Sequence, residues 1–311
     1  MKTAGIHHIS AIVGNPQENV DFYAGILGMR LVKKTVNFDD PGTYHLYFGD
    51  EAGTPGTIMT FFPWPTAFRG RIGDGQVGVT SYAVPEGALP FWRERFERFG
   101  ISFLEVEHFG ELYIQLDDPH GLHIELVERV EGKQSEWSFG GVSPEVAIKG
   151  FGGATLYSGS PEQTADILTE VMGLELVSRE GDYIRFRSTA DIGNMIDVKA
   201  VPERRGSMGP GTVHHIAWRA KDKPEHLQWQ DHVMQHGLRV TEVKDRHYFD
   251  AIYFPEPGGI LFEIATDPPG FSVDENSKML GEQLMLPTQY ENLRDELEDK
   301  LPAIHVRPLK K

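Results

Sequence analysis

Tyr253 stands ten residues before Glu263 in the stretch Arg246–Glu263, RHYFDAIYFPEPGGILFE, and the turn Glu256-Pro257-Gly258-Gly259 lies between them. Upstream is Gly211-Thr212-Val213-His214-His215-Ile216, and near the N-terminus is its double, Gly5-Ile6-His7-His8-Ile9. A neutral imidazole on a strand is a rigid ligand, and two such strands can converge on one ion. Glu263 is an acid flanked by Phe262 and Ile264. Burying it without a partner would cost on the order of several kcal/mol, a cost that a metal removes. His8, His215 and Glu263 together suggest a 2-His-1-carboxylate iron site.

Other residues are placed to act beside such a site. A Tyr253 hydroxyl can hold a phenolate oxygen. Arg246 is a permanent cation that can stabilise an anionic substrate. His45 and Tyr47 share one face of a strand. Phe48-Gly49-Asp50 matches Phe254-Pro255-Glu256, so Tyr47 corresponds to Tyr253, and His45 is expected to reach the cavity as an acid–base group. His7 and His214 should point to the opposite strand face and support the ligands rather than join them. His232 and His236 have helical i, i+4 spacing but no adjacent glutamate, and read as part of a solvated helix. His120 and His123 read as structural. Phe151-Gly152-Gly153-Ala154 opens a strand, not the helix that a nucleotide-binding loop needs.

The elements that must position these residues form a repeat of roughly 60–75 residues. Each unit reads strand, helix, three strands. In the first, about Gly5 to Pro63, Asn15 caps a helix that begins at Pro16 and ends at Gly28. The second, about Gly75 to Arg129, has its helix at Leu89–Phe99. The third, Gly152 to about Pro202, has it at Pro161–Met172, and the fourth, Gly211 to about Thr266, near Pro224–His236. Spacing to the helix-starting prolines makes His8, Gly78, Gly153 and His215 equivalent. Spacing after the turn prolines aligns Glu263 with Glu125 and with Phe61. The inner units should therefore bind no catalytic metal, with Glu125 their sole acid at that position. Residues Glu131 to Ser143 read as a linker. The tail Phe271–Lys311 has a helical stretch around Tyr290–Leu301 expected to pack across the outer units.

The chain has 311 residues, enough for two ordinary domains. The expected class is α+β: four βαβββ modules forming two barrels, with a partly helical C-terminal tail. Residues 5–130 and 150–268 are read as the two domains, and 269–311 as the tail. No apolar run approaches the roughly 18 residues of a membrane helix, and Met1–Gly5 leaves no room for a signal peptide. The absence of cysteine excludes disulfides and thiolate chemistry, and fits a cytoplasmic protein. A formal charge of −16 argues against nucleic acid or an anionic membrane as partner. A homo-oligomer is left open.

Four βαβββ units resemble the vicinal oxygen chelate superfamily, which includes glyoxalase I, bleomycin- and fosfomycin-resistance proteins and extradiol ring-cleaving dioxygenases. The resemblance covers about residues 5–266. Its Gly-Ile-His-His-Ile start, Val-His-His-Ile-Ala repeat and Ile-Leu-Phe-Glu-Ile-Ala end are most similar to ring-cleaving hydroquinone dioxygenases of the MhqO type. Ile252–Glu263 follows the extradiol signature. Upstream, where that signature has histidine, this chain has Lys244, Asp245 and Arg246, and hydroquinone-cleaving members are similar in carrying arginine there. The resemblance implies that the first and fourth units form the working barrel. It implies Fe(II), with Mn(II) as the alternative, and O2 plus a small aromatic para-diol as substrates. It implies ring opening beside one hydroxyl. A glyoxalase-type isomerase or lyase is the rival, and would need a fourth ligand near Phe61. A non-enzymatic aromatic-drug-binding protein is the other.

Overall fold

The computed structural model describes residues 1–310. The first unit is β1 (Ile6–Val13), α1 (Pro16–Val20), β2 (Arg30–Asn37), β3 (Asp40–Gly49) and β4 (Ile58–Pro63). The second is β5 (Gln76–Val84), α2 (Leu89–Phe99), β6 (Phe103–His108), β7 (Glu111–Asp117) and β8 (His123–Glu128). The third is β9 (Gly150–Tyr157), α3 (Pro161–Asp166), β10 (Glu175–Glu180), β11 (Tyr183–Arg187) and β12 (Met195–Lys199). The fourth is β13 (Thr212–Ala220), α4 (Lys223–Gln235), β14 (Lys244–Asp245), β15 (Phe249–Pro255) and β16 (Leu261–Pro269). Local chemistry explains the helix ends. Asn15 Oδ1 accepts the N–H groups of Gln17 and Glu18 at 2.8 and 3.2 Å, and Pro16 follows it in the first turn. α2 stops at Gly100, whose φ of 68° is left-handed. α1 and α3 each run on into a π-helical turn, Asp21–Ile26 and Ile167–Val171.

Two curled eight-stranded sheets result. One has the order β14-β15-β16-β13-β1-β4-β3-β2, the other β10-β11-β12-β9-β5-β8-β7-β6. The first and fourth units thus share an outer sheet through the antiparallel pair β1–β13, and the second and third an inner one through β5–β9. Each sequence half spans both sheets. One apolar cluster takes in Phe61, Trp92, Leu156, Leu168, Trp218, Trp229 and Leu297 from both sheets and several helices. A smaller separate cluster joins Val32, Tyr47, Tyr248 and Phe249 to Phe271 and Leu280 of the tail. The tail is helical at Thr288–Leu293 and α5 (Arg294–Lys300), and lies against the first unit, where Tyr44 donates to the Pro302 carbonyl at 3.1 Å. Among the described residues no helix is long and apolar enough to cross a membrane.

The ladders correct two alignments by one residue. Across β1–β13, His8 faces Ala217 and Ser10 faces His215, while across β5–β9, Val79 faces Thr155 and Ser81 faces Gly153. Val79, not Gly78, is therefore the counterpart of His8. Gly78 is a bulge residue, which proline spacing does not reveal. Similarly Tyr47 faces Thr60 as Tyr253 faces Glu263, so Thr60, not Phe61, matches the glutamate. The first unit takes thirteen residues from Tyr47 to Thr60, the fourth ten from Tyr253 to Glu263, so counting from the turn proline misplaces the register. Phe61 points into the core, its ring 4.3 Å from Tyr23.

Candidate metal centre

His8, His215 and Glu263 lie on β1, β13 and β16, neighbours at the middle of the outer sheet. Their ligand atoms all fall within 4.8 Å of one another. His8 Nε2 is 3.3 Å from His215 Nε2, and Glu263 Oε2 is 2.8 Å from His215 Nε2 and 3.4 Å from His8 Nε2. The three residues are 2%, 5% and 0% exposed. Strand geometry alone would send alternate side chains to opposite faces. Each His-His pair instead sits at a register shift, between Ile6 and His8 on β1 and across His214 on β13. Such a bulge re-aims side chains at a site.

The bulges place His7 and His214 directly behind the two candidate ligands. His7 Nδ1 is 2.9 Å from His8 Nδ1, and His7 Nε2 is 3.1 Å from the Thr266 carbonyl. A carbonyl only accepts, so His7 Nε2 carries the proton and its Nδ1 accepts from His8 Nδ1–H. That leaves the lone pair of His8 Nε2 facing Glu263. His214 Nδ1 lies 2.7 Å from His215 Nδ1 and repeats the ring-to-ring contact. Burial lowers the imidazole of His7 well below its ordinary range, and burial followed by the charge of His215 lowers that of His214 to about 4. His214 departs from the opposite-face expectation, because its ring also lines the cavity described below.

The donor set fits a cation. Neither oxygen of Glu263 receives a hydrogen bond of proper geometry, although Oε2 touches His215 Nε2. Burial alone would raise this carboxyl, yet the positive field of His8 and His215 outweighs it and holds Glu263 well below the usual carboxylate range. Burial also lowers His215, toward a neutral ring. A neutral His215 and an ionised Glu263 are compatible when a bound cation replaces the ring protons. Two imidazoles and one carboxylate are a known ligand set for divalent transition metals.

A cavity of about 430 Å³ opens beside the triad, with Phe38, Phe62, Trp64, Phe249 and Leu261 among its walls. Tyr253, Arg246 and His45 all line it. Arg246 Nε donates to the Tyr253 hydroxyl at 3.2 Å, and its guanidinium pairs with Asp39 at 3.1 Å. Burial raises Tyr253 well above the ordinary phenol range, so the hydroxyl keeps its proton. On the first unit's side a chain of hydrogen bonds runs inward. Tyr47 OH lies 2.8 Å from His45 Nδ1, His45 Nε2 2.9 Å from Thr60 Oγ1, and Thr60 Oγ1 2.7 Å from Ser10 Oγ. Burial keeps Tyr47 protonated and His45 neutral. Ser10, Thr60 and Asp39 carry no sequence motif. Only the alternation of Ser10 with His8 on one strand face could have signalled the first.

The inner sheet offers a contrast. Glu125 accepts from Ser81 Oγ at 2.7 Å and from Gln115. Asp197 occupies the same ladder position in the third unit, facing Arg185 as Glu263 faces Tyr253. The inner pair thus has two acids there, not the single Glu125 expected. Arg185 neutralises Asp197 with contacts of 2.8 and 2.7 Å. Any side chain at Gly153 would meet the Met195 carbonyl at 2.4 Å, which excludes an imidazole. His232 Nε2 donates to the Val171 carbonyl at 3.0 Å, and His120 accepts from Gly14 N–H at 3.3 Å.

Comparison with known proteins gives this arrangement a family. The glyoxalase/bleomycin resistance protein/dioxygenase superfamily model matches residues 5–129 and 150–264. A Bacillus subtilis (strain 168) protein named as a ring-cleaving dioxygenase, MhqO, is 63% identical over 308 residues, covering 99% of both chains. The chlorohydroquinone/hydroquinone 1,2-dioxygenase of Sphingobium indicum is 34% identical over 308 residues, covering 95% of both. A crystal structure titled as a dioxygenase from Bacillus subtilis superposes with a TM-score of 0.98 at 63% identity, covering 99% of both chains. Glyoxalase I from Zea mays shares the fold at a TM-score of 0.62 and 13% identity, over 85% of this chain and 92% of that one. Sequence and fold agree: the chain belongs to the glyoxalase/bleomycin resistance protein/dioxygenase superfamily.

Proposed function

We propose that this protein is an Fe(II)-dependent dioxygenase that opens the ring of a hydroquinone-type aromatic. The observation that carries the reading is the cluster of three convergent, buried donors, two of which, His8 and His215, line an aromatic-walled cavity. His8, His215 and Glu263 would hold the metal, and Mn(II) suits the same set. When bound, the metal supplies electron transfer between substrate and dioxygen. The residues around it do the rest. Phe38, Phe62 and Phe249 exclude water and flank a planar ring. Arg246 favours the substrate as its monoanion, and Tyr253 donates to its bound oxygen. His45, fixed by Tyr47, exchanges a proton with the substrate side through Thr60 and Ser10.

The reaction balances without another reductant. The bond between a hydroxyl-bearing carbon and its neighbour breaks, both oxygen atoms enter the product, and the ring supplies the electrons that reduce O2. A glyoxalase-type reaction needs a fourth protein ligand, and its place is filled by Thr60, which is engaged with Ser10 and His45. The deciding measurement is oxygen uptake by iron-loaded protein, prepared anaerobically, with hydroquinone, catechol and a methylglyoxal–thiol adduct. Uptake with hydroquinone is expected. Turnover of the thiol adduct without oxygen consumption would move the assignment to the isomerases.

A further inference from the structure

The outer sheet is a curled strip whose edges are β2 and β14. Both edges flank the cavity: Asn37, Phe38 and Asp39 stand at the end of β2, and Lys244 and Arg246 at β14. The two walls meet directly in the ion pair of Arg246 with Asp39, whose side chain is 70% exposed. An exposed pair of this kind is a weak fastener.

The tail, which lies beyond the residues matched by the family model, adds a stronger one. Asp274 Oδ1 is 2.7 Å from Lys33 Nζ on β2. Its other oxygen accepts from Tyr248 OH at 2.9 Å and lies 3.2 Å from His247 Nε2, at the turn after β14. One carboxylate therefore spans the two edges. Lys33 is fully buried, and Glu275 completes its pairing at 2.8 Å. A buried ammonium is tolerated only with such partners. His247 adopts a left-handed φ of 65°, held by Asp245, which accepts its N–H at 2.7 Å. From that conformation, uncommon outside glycine, the ring comes within 3.2 Å of Asp274. Nearby, Tyr290 donates to the Phe38 carbonyl at 2.8 Å, and Phe271 packs 5.1 Å from both Tyr47 and Tyr248.

We infer that Asp274 is a positioning residue of the cavity: by clasping Lys33 to the His247–Tyr248 turn, it fixes Arg246 against Tyr253 and so sets the affinity for an anionic ring. The kinetic half of this inference rests on the dioxygenase reading, and the mechanical half does not. Two substitutions in the full-length chain test it, Asp274→Asn and Tyr248→Phe. In metal-free protein, backbone amides at Arg246 and Tyr248 should exchange with solvent about tenfold faster than in wild type. In iron-loaded protein, metal content should stay unchanged while KM for hydroquinone rises about fivefold to tenfold. In an Arg246→Gln background, Asp274→Asn should add nothing to KM. Unchanged exchange overturns the clasp, and additive effects on KM overturn its action through Arg246. If Asp274→Asn does not fold, Tyr248→Phe, which removes one hydroxyl, carries the same measurements. If wild type consumes no oxygen with any hydroquinone, the substrate reading fails, and exchange alone decides for or against the clasp.

Discussion

Thr60 and Glu263 occupy the same position in two copies of one module, each facing a tyrosine across its hairpin, Tyr47 or Tyr253. One presents a hydroxyl bound to Ser10 and His45, the other a carboxylate without a hydrogen bond. Near-symmetric strands thereby build an asymmetric site. The fourth unit supplies two candidate ligands, His215 and Glu263, and the first supplies His8 together with the hydrogen-bonded chain.

Thr60→Glu should convert the three-ligand set toward four. The new carboxylate would sit opposite Glu263, so metal retention after dialysis should rise. Oxygen uptake should fall by about tenfold or more, because an open coordination position is lost. Thr60→Val serves as control, since it removes only the hydroxyl. If Thr60→Glu and Thr60→Val behave alike in metal content, the proposed equivalence has no consequence for binding.

Glu263→Gln deletes the only anionic ligand of the proposed triad while keeping its size. Metal content should drop to near zero, with far-ultraviolet circular dichroism unchanged. The apo protein should also lose stability at neutral pH, because the positive field of His8 and His215 holds Glu263 ionised and the neutral amide gives up that attraction. Thermal melting of metal-free wild type and variant checks this, and a variant as stable as wild type would argue that the imidazoles do not hold the carboxylate without a metal.

Much of this architecture is legible in the chain, for identifiable reasons. Asn15-Pro16, Gly28 and Gly100 mark helix ends by local chemistry that needs no tertiary context. The two His-His pairs and Glu263 stand out because an acid and paired imidazoles are unexpected inside apolar strands. What fails is register. Gly78 and Phe61 are each one residue from the true counterparts, because bulges and a longer β3–β4 connection shift the count. Asp197 escapes notice because its strand follows an irregular segment with no proline to count from. The tail's partners, Lys33 and Tyr248, lie more than two hundred residues apart and no periodicity links them.

His7 fixes the tautomer of His8 from behind, and His214 stands in the same place behind His215. Removing such a support commonly costs about 10–100-fold in metal affinity. His7→Ala should show the larger loss, since His7 is itself anchored on the Thr266 carbonyl and buried, while His214 reaches the cavity. Competition with a chelator of known affinity measures both. Equal affinity in wild type and His7→Ala would remove the tautomer argument.

Arg185 should matter for stability and not for metal. It pairs with Asp197 and with Glu111 at 2.6 Å, and its side chain is 5% exposed. Arg185→Ala leaves the buried Asp197 uncompensated, while Glu111 keeps Arg129, a change that destabilises by about 3–5 kcal/mol. Denaturant unfolding should report that loss, while metal content of the folded fraction stays at the wild-type level. A parallel loss of metal would mean that the inner sheet supports the outer site more closely than the ladders suggest.

Tyr253→Phe separates binding of the metal from use of the cavity. The hydroxyl is not one of the three convergent ligand atoms, so iron content should match wild type. It keeps its proton because burial raises its pKa, and Arg246 donates to its oxygen, so the proton is free to be directed at a bound substrate oxygen. Losing one such hydrogen bond to a charged group costs about 1.5–3 kcal/mol, or about 10–150-fold in rate if the bond forms only in the transition state. The fall should therefore appear in kcat and in kcat/KM alike. Arg246→Gln should act differently. It removes a fixed cation from the cavity, so KM for hydroquinone should rise more than kcat falls. The preference for para- over ortho-diols should also narrow, because Arg246 stands where catechol-cleaving relatives are expected to carry histidine. Oxygen-electrode kinetics with both diols on wild type and the two variants decide the matter. Wild-type rates equal for hydroquinone and catechol would leave ring cleavage standing and refute the role given to Arg246. A Tyr253→Phe variant that loses its iron would instead place the tyrosine among the groups that hold the metal.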